Sequence, residues 1–157
     1  MKGLINLRLA ELGLELPSPP RPAANFRPFM RAGGFVQLAG VAPSEGGRYT
    51  AIGKVGRDID LAEAKDAARL CALNLIANLQ LACDGDLDRV LQFVMVRGFV
   101  NAVEEFEQVP AVINGASDLI VDVFGSEIGS HARTSIGCAT LPSRVAVELD
   151  ALVLVRE

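Results

Sequence analysis

Apolar side chains follow two rhythms along this chain, and the switches between them outline its elements. From Asp60 onward, Ala64, Ala68, Cys71, Leu75, Leu79 and Ala82 recur at three- and four-residue steps, the spacing of one helix face. Asp60 and Glu63 stand at capping-box spacing before this run and Gly85 follows it, which predicts a helix of about two dozen residues. Its apolar face is rich in small side chains, suited to lying flat on a sheet. Near the start, Ile5, Leu9 and Leu12 are helically spaced within Leu4 to Leu14. Pro17-Ser18-Pro19-Pro20-Arg21-Pro22 then forbids helix and favours an extended connector. Residues 1–23 therefore read as a helix and stiff connector packed on a domain of residues 24–157.

Elsewhere the pattern is that of strands. Phe29 to Ala32 and Phe35 to Ala39 flank Gly33-Gly34, a hairpin signal, and Gly40 follows the second strand where a side chain would crowd an approaching group. Pro43 to Gly53 reads as a loop or irregular hairpin, and Leu91 to Val100 as a strand rich in Val and Phe. A helical stretch is predicted from Val103, broken near Pro110 and resumed over Ser117 to Phe124, with a loop from Gly125 to Ser130. Strands Thr134 to Thr140 and Val145 to Val155, joined at Leu141-Pro142-Ser143, close the chain. This order predicts an α+β sandwich: a mixed sheet with two main helices on one face. Val147, Leu149, Ala151 and Val153 alternate with Leu152 and Leu154 on the other side. A sheet apolar on both faces, with helices for one, calls for a partner, so the pattern itself predicts oligomerisation.

Composition narrows the classes. The 157 residues suffice for one domain with a real core, built from Leu, Val, Ile, Ala and seven Phe, since there is no Trp and one Tyr. No apolar run reaches the roughly 20 residues that span a bilayer. Lys2, Arg8, Glu11 and Glu15 interrupt the start, which lacks the uncharged core of a secretion signal. The net charge is −4 with both signs interspersed, so nucleic acid finds no basic track here. Cys71, Cys83 and Cys138 are odd in number and not at metal-ligand spacing; they read as reduced thiols of a cytoplasmic protein.

Conventional catalytic motifs are absent. His131 is the single histidine, so no His-based metal cluster forms, and neither a nucleophile elbow nor a phosphate-binding loop is present. No metal or cofactor is expected. Asp84, Asp86 and Asp88 alternate but lack the glycine and terminal glutamate of a calcium loop, and read as a solvated turn between helix and strand.

The C-terminal third carries a resemblance. His131-Ala132-Arg133-Thr134-Ser135-Ile136-Gly137-Cys138-Ala139-Thr140-Leu141-Pro142, followed by Val145-Ala146-Val147-Glu148-Leu149-Asp150-Ala151, resembles the YjgF/RidA family, the reactive intermediate deaminases long labelled L-PSP endoribonucleases. An Ala-Arg opening a strand, a Leu-Pro turn and a last strand bearing Val-x-Val-Glu make up the pattern. Ala39-Gly40 after the second strand and the Ala-rich helix fit upstream, so the resemblance runs from about Ala24 onward, as a longer sub-branch. It implies a homotrimer of chorismate-mutase-like (bacillary) topology with clefts between subunits.

In such a cleft an arginine grips the carboxylate of a 2-imino or 2-enamino acid, which water hydrolyses to a 2-oxo acid and ammonia. Arg133 falls on that arginine, and a guanidinium fork suits both carboxylate oxygens. A plain interface arginine is the alternative. Glu148 falls on a glutamate implied to position or activate water; otherwise it is a solvent-facing strand residue. Gly40 would let its backbone approach the ligand, or is a turn glycine. Phe26 stands where the family's deaminases carry tyrosine, and Ser135 where cysteine is usual. Three functions follow: a hydrolytic deaminase, a non-catalytic binder of small carboxylates such as 2-oxo acids, and, ranked last for an acidic chain, an endoribonuclease.

Overall fold

A computed structural model describes residues 3–19, 22 and 24–156. Its elements are α1 (Leu4–Glu11), β1 (Phe29–Ala32), β2 (Phe35–Val41), β3 (Ser44–Glu45), β4 (Arg48–Tyr49), α2 (Leu61–Ala82), β5 (Val90–Asn101), α3 (Val109–Gly129), β6 (Ala132–Cys138) and β7 (Val147–Val155). Five strands form one sheet in the order β1-β2-β7-β5-β6, and β3-β4 is a separate small ribbon. β5 and β6 run parallel and the other pairs antiparallel, so the sheet is mixed. The hairpin between β1 and β2 turns on Gly33 and Gly34, at φ of 54° and 80°, as a two-residue primed turn requires.

The alternation along β7 sorts the two faces. Val147, Leu149, Ala151, Val153 and Val155 are buried, whereas Glu148, Asp150, Leu152 and Leu154 are half-buried on the other face. Under the buried face, α2 contributes Ala64, Ala68, Cys71, Leu75 and Leu79, the spacing read from sequence, all fully buried. Asp60 and Glu63 form the expected reciprocal cap, a contribution of about 1 kcal/mol. The other sheet face has no helix among the described residues, and Met30, Phe35 and Ile136 remain exposed on it.

α3 departs from expectation in an instructive way. Residues 103–108 are not helical; Pro110 stands in the first turn of a helix that continues through Asn114 to Gly129. A proline there loses no hydrogen bond, so it starts the helix rather than breaking it. Gly125, at φ 77°, interrupts the helix, and the predicted loop is its last turn. Asp84 and Asp88, two of the three aspartates, also do more than face solvent. Asp88 accepts the backbone N–H groups of Gly3, Leu4 and Ile5 at 2.7, 2.9 and 2.9 Å, clamping the start of α1, while Asp84 pairs with Arg89 at 2.6 Å. α1 is further tied by Arg8 Nε donating to the Asp122 carbonyl of α3 at 2.9 Å.

α3 sits low on the sheet and close to α2. A Cβ on Gly98 of β5 would lie 2.9 Å from Ile113 Cγ2, and one on Gly115 would strike the Lys65 carbonyl of α2 and lie 2.9 Å from its carbon. Helix backbone cannot yield as a side-chain tip can. Gly115→Ala is therefore expected to lower stability by about 1–3 kcal/mol, read as a fall in the denaturant midpoint at unchanged slope.

Candidate functional site

The register of β2 against β7 builds the first half of the site. Pairing passes from Leu38↔Ala151 to Val41↔Leu149, three steps on β2 against two on β7, so one extra residue bulges at Ala39-Gly40. β1 ends its pairing at Phe29↔Leu38, and Ala39 N–H instead donates to the Pro28 carbonyl at 2.9 Å. The sheet edge opens there into a cavity of about 290 Å³. Phe26, Gly40 and Glu148, three of the residues singled out from sequence, line it together.

Gly40 is required by close approach. A Cβ at that position would collide with the Glu148 carboxylate and stand 3.1 Å from its Cδ. Glu148 is half-buried, and its pKa lies above the usual carboxylate range because burial penalises the charge and the neighbouring Asp150 repels it. Asp150 itself accepts from Arg97 Nε at 2.7 Å. Phe26 offers the cavity a ring and no hydroxyl. Tyr49, the single tyrosine of the chain, lines the same cavity, as does Asn78, whose Oδ1 is buried without a hydrogen-bond partner among the described residues. Neither stands out in the sequence, because nothing in it places β4 and the C-terminal part of α2 beside Gly40.

Arg133 and Ser135 lie elsewhere. β6 is the edge strand on the far side of β5, two strands from β7. Arg133 is level with Val96 and, beyond it, Ala151, both buried beneath the helices, so its side chain rises on the helical face. Glu148 points to the opposite face. Arg133 Nη1 donates to Asn114 Oδ1 at 2.8 Å and Ser117 Oγ at 3.1 Å, and Nη2 to the Pro110 carbonyl at 3.4 Å. Of the five N–H groups of a guanidinium, Nε–H and one on Nη2 have no partner among the described residues, enough for the two oxygens of a carboxylate. A groove of about 270 Å³ opens here between Ser117, Ser130, His131 and Arg133. Ser135 Oγ is buried without a partner among the described residues. Asn114 and Ser117 escaped the sequence reading because it placed a helix break across residues 110–117.

A larger hollow of about 740 Å³ lies over Lys54, Phe106 and Cys138. Its lysine is already committed: Nζ donates to Asn101 Oδ1, the Ala102 carbonyl and the Ala139 carbonyl at 2.9, 3.3 and 2.6 Å, which uses all three donors. Among the described residues no three His, Cys, Asp or Glu side chains converge as a metal site would need. No helix of the described residues is long and apolar enough to cross a membrane.

Comparison with known proteins places this geometry in a context. Residues 6–155 match the family model described as "YjgF/chorismate_mutase-like, putative endoribonuclease". The chain is 42% identical over 153 residues to Protein TCP17 of Trypanosoma cruzi, covering 96% of this chain and 94% of that one. The crystal structure of Atu1372 from Agrobacterium tumefaciens, described as of unknown function, is 43% identical and superposes with a TM-score of 0.90, covering 97% of this chain and 92% of its own. A Shewanella oneidensis structure carrying the same endoribonuclease label is 30% identical, with a TM-score of 0.92 over 96% of this chain and 99% of its own.

The raised pKa of Glu148 has a consequence for stability. The folded state holds this proton more tightly than the unfolded chain, so its contribution is greatest at acid pH and is lost as pH rises through the folded pKa. Glu148→Gln is expected to raise the melting temperature at pH 7 relative to the wild type, with the difference closing at pH 4; thermal denaturation at both pH values checks it.

Proposed function

The chain belongs to the YjgF/chorismate-mutase-like family, and from that premise we propose that it is a hydrolytic deaminase of 2-imino and 2-enamino acids, acting in clefts between subunits. The observation that carries the reading is the division of the polar residues. Glu148, Gly40 and Phe26 line a cavity at the β2–β7 edge, while Arg133 stands on another edge and the opposite face. One chain cannot bring them together; a second copy can. The uncovered sheet face, with Met30, Phe35 and Ile136 exposed, supports assembly through that face.

In this reading the free edge of Arg133 holds the substrate carboxylate. That orients the C2 iminium toward Glu148 of the neighbouring subunit. A water attacks C2 while Glu148 accepts its proton, and the C=N π pair moves onto nitrogen. The carbinolamine nitrogen then takes the proton from Glu148. The C–N bond breaks as Glu148 takes the hydroxyl proton and the hydroxyl oxygen forms the carbonyl; the products are a 2-oxo acid and ammonia, which carries that proton away from Glu148 as ammonium. The demand on the protein is small, since a held and protonated imine hydrolyses readily; orientation and one poised carboxyl supply most of it. A half-buried carboxyl with a raised pKa suits a group that must both take and return a proton.

A second reading, binding of a 2-oxo acid or similar carboxylate without turnover, is favoured by Phe26, which brings no hydroxyl, and by Ser135, which brings no thiol. An endoribonuclease, the label carried by relatives, is disfavoured by the net charge of −4 and the absence of a phosphate-binding track.

Turnover of enzymatically generated 2-aminoacrylate/2-iminopropanoate separates these readings. Wild type is expected to accelerate hydrolysis and Arg133→Ala to lose about 100-fold in kcat/KM, the scale of two charge-assisted hydrogen bonds. Equal rates in the two proteins would remove the deaminase. Calorimetric binding of pyruvate without turnover would then support the carboxylate binder. Light scattering at micromolar concentration is expected to give three times the chain mass; a monomer would leave both half-sites incomplete and sink either reading.

A further inference from the structure

Arg133 does not stand alone on its edge of the sheet. Ser117 Oγ lies 3.1 Å from its Nη1 and 3.0 Å from His131 Nε2, and His131 Nδ1 lies 2.6 Å from the Gly129 carbonyl. The directions of these bonds follow from the chemistry of their ends. A carbonyl oxygen only accepts, so Nδ1 carries the ring hydrogen. In the neutral ring Nε2 is then an acceptor. The one hydrogen of Ser117 therefore goes to His131, which turns the lone pairs of Oγ toward Arg133. A guanidinium only donates, so that orientation is the one it can use.

Neutrality of the ring is favoured by its surroundings: burial lowers the His131 pKa, the Arg133 charge lowers it further, and the bond to Gly129 only partly opposes them. Asn114 Oδ1, at 2.8 Å, takes the second hydrogen of Nη1. With both Nη1 hydrogens engaged and Nη2 donating to the Pro110 carbonyl at 3.4 Å, the plane of the guanidinium is set, and so is the direction of its Nε–Nη2 edge.

We propose that Ser117 and His131 form a positioning relay, Gly129 carbonyl to His131 to Ser117 to Arg133, that holds the carboxylate-binding edge of Arg133 in place. This rests on the carboxylate-gripping role of Arg133 proposed above and adds the residues that set its orientation. Neither Ser117 nor His131 reacts with substrate in this arrangement. Each changes how well the fork is aimed, and His131 does so solely through the Ser117 hydroxyl. The sequence links that make it possible are separate: Ser117 comes from the middle of α3, His131 from the residue before β6, and the close seating of α3 over Gly98 brings them within reach.

The test has two readouts, one independent of activity. In the wild type the Arg133 Nε–H resonance is expected to show the heteronuclear NOE of an ordered group, to lose it in Ser117→Ala and His131→Ala, and to keep it in Ser117→Thr, which retains the hydroxyl. In turnover, or in pyruvate binding if there is no turnover, each alanine variant should raise KM or Kd by about 10-fold, with kcat within about twofold, as expected for loss of one aligned hydrogen bond. The double variant Ser117→Ala/His131→Ala should be no worse than Ser117→Ala, because both remove the same relay. An ordered Nε–H in Ser117→Ala overturns the proposal, as do additive losses in the double variant. Where Arg133→Ala does impair binding or turnover, loss of Nε order in Ser117→Ala with no change in KM or Kd overturns it too. If Arg133→Ala binds and turns over like wild type while Nε order still depends on Ser117, the carboxylate reading fails and the relay stands as the device that orders this side chain.

Discussion

The register of β7 between β2 and β5 is the constraint on which the rest depends. Its odd-numbered residues from Val147 to Val155 are buried beneath α2 and α3, and its even-numbered residues face the other way. Because side chains on a strand alternate with a period of two, this one assignment sends Glu148 and Asp150 to the uncovered face. Through β5 it also sets the level of β6, and so raises Arg133 on the helical face. A slip of one residue would bury Glu148 under the helices and expose the core. The core therefore enforces where on the sheet Glu148 and Arg133 stand.

Two glycines carry that constraint from the core to the chemistry. Gly98 lets α3 settle onto β5, which is what brings Asn114 and Ser117 over Arg133. Gly40, in the bulge of β2, leaves room for the Glu148 carboxylate and breaks the pairing that would otherwise close the cavity. In both places the absence of a side chain decides what a neighbouring polar group can do. The half-burial that results for Glu148 is also the source of its raised pKa. Packing and proton affinity thus have a common cause.

Much of this was legible in the chain. The apolar spacing and cap of α2, the Gly-Gly hairpin, the β5 strand and the two closing strands stand out because each repeats a period over many residues or uses turn chemistry with one favoured geometry. The two-sided apolar pattern of β7 was equally plain. Arg133, Glu148 and Gly40 stand out in the sequence as candidates through the motif, and the fold brings Gly40 and Glu148 together while leaving Arg133 apart. α3 was misplaced because Pro110 has opposite meanings at the start and in the interior of a helix, and sequence alone does not say which applies. Asp88 looks solvated in sequence because its partners, the N–H groups of residues 3–5, lie more than eighty residues away.

What the sequence by itself determined is local or periodic: which segments are helix or strand, which face of each is apolar, and which residue types could do chemistry. Only the tertiary structure decided that Phe26, Gly40 and Glu148 share one cavity while Arg133 stands apart on the other face. It also decided that Tyr49 and Asn78 join the first group, and that Ser117 and His131 attend the second. The physical reason is that hydrogen-bond partners across α3 and β6, or across a bulge in β2, are set by how closely backbones approach. That distance depends on packing among residues far apart in the chain, and no local period records it.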